Sequence, residues 1–185
     1  MRGHDSTAPS EWLVRNRHLL PPAARALDVA CGGGRNALWL AAHGFETTAI
    51  DRDPSAIDAL AARARTEQLL LTALAMDLEA AGVTVGLEVY DVVVVVHYLH
   101  RPLFPALLAA LRPGGVLVYE TFTVAQAARG RPTNPAFLLE PGELRRLVSP
   151  LEILAAREGD YEGRMVSSVV ACRDASRSRV RPRRP

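Results

Sequence analysis

The stretch Leu27–Ala42 reads LDVACGGGRNALWLAA. A short apolar run, Ala26–Ala30, meets three consecutive glycines, and a helical pattern begins directly after them. Strand, tight turn and helix in that order are the start of an α/β unit. Gly32-Gly33-Gly34-Arg35-Asn36-Ala37 also fits G-x-G-x-x-G/A, the fingerprint of a pyrophosphate-binding turn. Asp28, four residues before Gly32, argues against a pyrophosphate, because a carboxylate there would face like charge. It suits a ligand that carries positive charge. Gly32 and Gly34 allow such a ligand to lie against bare backbone.

Outward from this turn, strand-like and helix-like runs alternate. Ser10–Leu20 reads as an amphipathic helix capped by Ser10 and stopped by Pro21-Pro22. Gly34–His43 is helical, with Leu38, Ala41 and Ala42 on one side, and Gly44 ends it. Phe45–Ile50 is a strand ending at Asp51, Pro54–Arg65 an Ala-rich helix, and Leu71–Met76 a strand ending at Asp77. Asp91–Tyr98 contains five successive valines, which favours a strand buried on both faces. Leu103–Leu111 is a helix broken by Pro113-Gly114-Gly115, and Val116–Phe122 is a fifth strand. Thr123–Pro141 is a long connection of the kind that forms lids. A short helix from Glu143 and two closing strands, Leu151–Ala156 and Met165–Cys172, complete the fold.

The pattern predicts a Rossmann-like, doubly wound α/β fold. It has a seven-stranded, mostly parallel sheet, helices on both faces and a C-terminal antiparallel strand. Residues 1–174 form one domain, and 175–185 a disordered Arg-rich tail. In such sheets ligands sit beyond the carboxyl ends of the strands, near the switch in strand order. That gathers Asp28–Gly34, Asp51, Asp77 and His97–Arg101 around one crevice.

Composition narrows the function. Of 185 residues, 49% are apolar and 23% charged, an ordinary globular mixture. No apolar run is long enough to span a membrane. The N-terminus, MRGHDSTAPSEW, lacks the apolar stretch of a signal peptide, so a cytoplasmic protein is expected. Cys31 and Cys172 form no C-x-x-C pair, which argues against a disulfide framework or a metal site. All basic residues are Arg, and five of them fall in 177–185. Removing those five from the formal +2 leaves −3, so the basic character belongs to the tail.

Asp28-Val29-Ala30-Cys31-Gly32-Gly33-Gly34 resembles the first motif of the class I S-adenosylmethionine-dependent methyltransferases, D/E-x-G-x-G-x-G. Ala30 replaces the first glycine, a change tolerated where the local φ is negative. The resemblance continues through Asp51, Met76-Asp77-Leu78, Tyr90-Asp91 and Leu111-Arg112-Pro113-Gly114-Gly115. The C-G-x-G-R-N run, Cys31–Asn36, is similar to the small tellurite-resistance-like branch.

The resemblance implies S-adenosylmethionine as cofactor and S-adenosylhomocysteine as product. It places Asp28 near the methionine amino group, and Ala30, Cys31, Gly32, Gly34 and Asn36 along the methionine part. Asp51 and Arg52 lie at the ribose, Met76, Asp77 and Leu78 at the adenine, and His97 and Tyr98 at the sulfonium end.

His97 and His100 are the candidate general bases, since imidazole titrates near neutrality. Arg101, Glu120, Arg129, Arg131 and Phe137 are the candidate acceptor residues, Arg129–Phe137 being read as part of a lid. No N/D-P-P-Y/F motif follows the fourth strand, which reads His97-Tyr98-Leu99-His100. A small-molecule acceptor of thiol, oxyanion or hydroxyl type is therefore expected, on a monomer or homodimer. The rivals are a nucleic-acid methyltransferase using the Arg tail and a non-catalytic cofactor-binding module.

Overall fold

The valines of the fourth strand lie at the centre of the sheet. In the computed structural model, which describes residues 7–22 and 24–175, β4 (Tyr90–Val96) is flanked by β1 (Arg25–Val29) and β5 (Leu111–Phe122). Beyond β1 lie β2 (Glu46–Asp51) and β3 (Leu71–Ala75), and beyond β5 lie β7 (Arg164–Cys172) and β6 (Glu152–Tyr161). The order is β3-β2-β1-β4-β5-β7-β6; β1 to β5 pair in parallel, and β7 is antiparallel to both its neighbours.

Every second side chain of β4 serves a different core. Val93 and Val95 pack with Leu27, Val29, Leu117 and Tyr119 beneath α4 (Phe104–Ala110) and α5 (Glu143–Leu147). Val92, Val94 and Val96 pack on the other face with Trp12 and Leu13 of α1 (Glu11–Arg15) and Leu40 of α2 (Arg35–Ala42). Ile57 and Leu60 of α3 (Pro54–Thr66) extend that second face over β2. A strand covered on both sides needs apolar residues at every position, which is what an unbroken valine run supplies.

Three local expectations change. The first helix stops at Arg15 and continues as a 3-10 turn, Arg17–Leu19. Ser10 precedes it without a side-chain cap; its hydroxyl donates to Glu120 Oε1 at 3.3 Å instead. Ala42 is exposed, and α2 buries Asn36, Ala37, Leu38, Leu40 and Ala41. The lid segment contains two 3-10 turns, Val124–Ala128 and Pro135–Phe137. Of the expected tail, residues 176–185 lie outside the described residues.

The turn that opens the sheet is built on left-handed backbone. Ala30, Gly32 and Gly34 have φ of 54°, 53° and 77°. The negative φ that would let Ala30 replace glycine without strain is not met: its φ lies in the region that favours glycine. Gly34 is required for a second reason, since a Cβ there would stand 2.4 Å from Leu60 Cδ1, where α2 meets α3.

Ala30→Gly is therefore expected to raise stability by about 1 kcal/mol, a rise in Tm of about 2–4 °C at this chain length. Gly34→Ala combines left-handed strain with overpacking against Leu60 and is expected to cost about 2–4 kcal/mol in urea unfolding.

Candidate functional site

The strand order reverses between β1 and β4, and the crevice opens there. β1 leads to β2 and β3 on one side, β4 to β5 on the other, so the loops after β1 and β4 splay apart. One wall is the turn Ala30–Gly34; the other begins at His97.

Two carboxylates hold the turn. Asp28, 1% exposed, accepts the Ala37 N–H of α2 at 2.9 Å, taking a first-turn donor that a glycine N-cap leaves free. Asp51 accepts the Gly32 N–H at 2.8 Å through one oxygen and the Asp53 N–H at 3.0 Å through the other. Burial pushes the Asp28 carboxyl up from 3.8 to about 7, against the Ala37 N–H and Arg35, which both lower it. Asp28 thus supports the turn from beneath rather than facing the crevice. Burial also raises the Cys31 thiol, helped by Asp28 and Asp51, which leaves it protonated and unreactive.

The glycines divide by role. An added Cβ at Gly32 or Gly33 meets no atom within 4 Å, and both residues line a cavity of about 580 Å³ with Ala30, Cys31 and His97. Gly34 packs on Leu60 and is structural. Asp51, Arg52, Asp77, Leu78 and Tyr98 line a second cavity, of about 300 Å³, with Ala30 and Phe137. The Tyr98 hydroxyl there is buried and has no hydrogen-bond partner, and burial raises it to about 12. Its backbone is fixed by the Tyr119 hydroxyl, which donates to the Tyr98 carbonyl at 2.8 Å. Met76 contributes its backbone N–H to the Asp51 carbonyl, and its side chain packs on the core.

His97 joins the cavities. It lines the glycine cavity, a polar one of about 230 Å³ and one of about 530 Å³ under the lid segment. Its φ is 60°, its N–H donates to the Glu120 carbonyl at 2.8 Å, and its ring stacks on Phe122 at 4.6 Å. Such left-handed backbone at a non-glycine residue concentrates at functional sites. Burial, with Arg35 and Arg164 nearby, lowers its pKa to about 4. His97 is therefore neutral at pH 7 and a weak base, not the near-neutral base expected. His100 precedes a 3-10 turn, Arg101–Leu103, and lines none of these cavities.

Other candidates are committed elsewhere. Asn36 is 4% exposed and accepts the Ser10 N–H at 2.9 Å, tying down the N-terminal segment. Glu120 lines the polar cavity, but its carboxylate takes Ser168 Oγ at 2.6 Å and Arg157 at 3.0 Å besides Ser10. Arg101 is bidentate on Glu143 and donates to the carbonyls of Ala136 and Leu138, so it fastens the lid segment. Arg129 pairs with Asp160 on the β6–β7 hairpin. Arg131 makes no ion pair among the described residues and lines the cavity under the lid. Arg35 and Arg164, which sequence reasoning missed, line both the glycine and the polar cavities, and Arg35 Nη2 stands 3.5 Å from His97 Nδ1. The R of C-G-x-G-R-N was the available signal for Arg35; nothing local marked Arg164. Among the described residues no group of three or more His, Cys, Asp or Glu could hold a metal ion, and no helix is long and apolar enough to cross a membrane.

Asp28 predicts a pH signature. The native chain keeps its proton to about pH 7, while the unfolded chain releases it near 3.8, so this group's stabilisation is full below about pH 4 and lost towards 7. His97 acts oppositely: its contribution is present above pH 6.5 and lost as pH falls towards 4. Asp28→Asn keeps an acceptor for Ala37 and removes only the first effect. The variant is expected to gain stability relative to the parent as pH rises from 4 to 7, by up to roughly 4 kcal/mol at about 1.4 kcal/mol per unit. Denaturant unfolding at each pH reads the difference; a flat difference contradicts it.

Residues 26–115 match a family model described as a methyltransferase domain. The chain is 31% identical over 140 residues to hemagglutinin 1 of Eikenella corrodens, covering 72% of this chain and 46% of that protein. It is 27% identical over 109 residues to the probable S-adenosyl-L-methionine-dependent methyltransferase TehB of Haemophilus influenzae, covering 59% of this chain and 38% of that one. The chain thus matches less than half the length of either relative. The crystal structure of TehB from Haemophilus influenzae superimposes with a TM-score of 0.78 at 21% identity, over 92% of this chain and 64% of that chain. At that identity the likeness is one of fold.

Proposed function

We propose that residues 26–115, which match a family model described as a methyltransferase domain and share the fold of TehB, act as a class I methyltransferase domain, and that the chain transfers a methyl group from S-adenosylmethionine to a small-molecule acceptor. The observation that carries this reading is the open space above Gly32 and Gly33, next to the Asp51 carboxylate that accepts the Gly32 N–H. A turn that bares its backbone at two glycines, beside an acid and an orphaned tyrosine hydroxyl, fits a ligand with a slim chain, a sugar and a flat base.

When bound, the cofactor supplies a methyl group on a sulfonium sulfur already activated for displacement. In this reading Ala30–Gly33 hold its amino-acid chain, Asp51 its ribose hydroxyls, and Asp77, Leu78 and the Tyr98 hydroxyl its base. Asp28 acts through the turn that it holds. His97, uncharged at neutral pH, stands at the sulfonium end without repelling a cation. It is too weak a base to deprotonate an alcohol. The acceptor class favoured is therefore one already ionised, a thiolate or an oxyanion, for which positioning supplies the rate.

Residues 1–174 are read as one catalytic domain, since one sheet runs from Arg25 to Cys172 through shared cores, and the reading takes that domain as cytoplasmic and monomeric or homodimeric. A nucleic-acid acceptor would depend on the Arg tail, which lies outside the described residues.

Saturating S-adenosylhomocysteine is expected to raise Tm by several degrees, since 100 times the dissociation constant adds about 2.7 kcal/mol. NAD is expected to leave Tm unchanged. An added Cβ at Gly33 meets no protein atom within 4 Å, so Gly33→Val puts its side chain into the cradle and should lose this shift. A shift with NAD alone, or full retention in Gly33→Val, contradicts the assignment.

A further inference from the structure

The cavity under the lid segment differs in chemistry from its polar neighbour. It holds about 530 Å³ and is walled by Phe122, Phe137, Tyr98, Leu99 and Pro132, with His97 at its floor. Four of its side chains are rings, and His97 and Phe122 are already stacked. The polar cavity beyond His97 holds about 230 Å³ and is lined mainly by charged residues, including Arg35, Glu120, Arg157 and Arg164. Only the larger space has the size and walls of a site for an organic ligand.

Phe137 is 49% exposed, yet it is held in place. Arg101 pins the carbonyls on either side of it, at Ala136 and Leu138, and ties both to Glu143. A partly buried ion pair thus holds an aromatic face out to solvent, which an uncovered loop does not need. One cation is left over in the same wall. Arg131 has no ion-pair partner among the described residues, whereas Arg129, two residues earlier, is neutralised by Asp160.

We propose that the lid cavity takes a flat, ring-bearing organic acid as methyl acceptor, its ring between Phe122 and Phe137 and its acidic group on Arg131; an ionised oxygen of that group would bond the methyl carbon as the carbon–sulfur bond breaks, releasing S-adenosylhomocysteine with no proton to remove. The proposal rests on the methyltransfer reading and deepens it. A bare inorganic oxyanion would leave the ring walls unused, and an uncharged aromatic would leave Arg131 unpaired. Rings gain from offset or edge contact with other rings beyond the area that they bury, and an Arg fork matches a carboxylate in two places.

The test uses the full chain saturated with S-adenosylhomocysteine, whose own Tm shift is recorded first. Calorimetry then measures binding of a panel of benzoate, naphthoate and indole-acetate acids, each beside its methyl ester, with selenite as the small-anion control. At least one acid is expected to bind about tenfold or more tighter than its ester, the scale of one charge-assisted pair. Arg131→Ala should erase that difference and Arg129→Ala should keep it. Phe137→Ala should weaken acid and ester alike.

The proposal is overturned if no acid outbinds its ester, if Arg131→Ala leaves the difference intact, or if selenite alone binds. If S-adenosylhomocysteine itself gives no shift, the methyltransfer reading fails. If it shifts and the acids do not bind, only the acceptor assignment fails.

Discussion

The turn from Ala30 to Gly34 is held by two carboxylates, and the rest of the crevice takes its position from it. Asp28 ties the turn to α2 through Ala37, and Asp51 ties it to β2 through Gly32. Neither bond crosses solvent freely, and a buried donor left without an acceptor costs more than an ordinary hydrogen bond contributes. The left-handed residues between them are maintained because both ends are pinned.

That constraint also sets the electrostatics. A carboxyl buried beneath the turn is driven towards neutrality, and so is His97 across the crevice, each by loss of water. The Arg35 guanidinium, 3.5 Å from His97 Nδ1, is then the fixed charge beside His97 where β1 and β4 part. Arg164 joins Arg35 in the glycine and polar cavities, and Arg131 adds a cation under the lid.

The side chains around the crevice divide between holding and receiving. Asn36, Glu120 and Arg101 are polar and near the site, but their hydrogen bonds are used to fasten the N-terminal segment, the β6–β7 hairpin and the lid. Gly33, Tyr98 and Arg131 are the groups with something left to offer. Spent hydrogen-bonding capacity distinguishes the two sets better than residue type does.

The five valines, the glycine turn and the acids at the ends of β2 and β3 are local signals, because a strand covered on both faces and a left-handed turn each demand particular residues in an unbroken run. From these the sequence by itself determined the sheet, the place of the crevice and the resemblance that names a cofactor. It did not determine what each polar side chain near the crevice does. Asp28 lies four residues from Gly32 whether it faces a ligand or an N–H of α2, and only the packing of α2 on β1 decides. Arg129 and Arg131 read alike in sequence, until the β6–β7 hairpin brings Asp160 to one and not the other. Arg164 reaches the site from a strand more than sixty positions beyond His97. Partnership between groups distant in the chain is set by how the layers pack, so tertiary structure alone decided which charges are spent and which remain for chemistry.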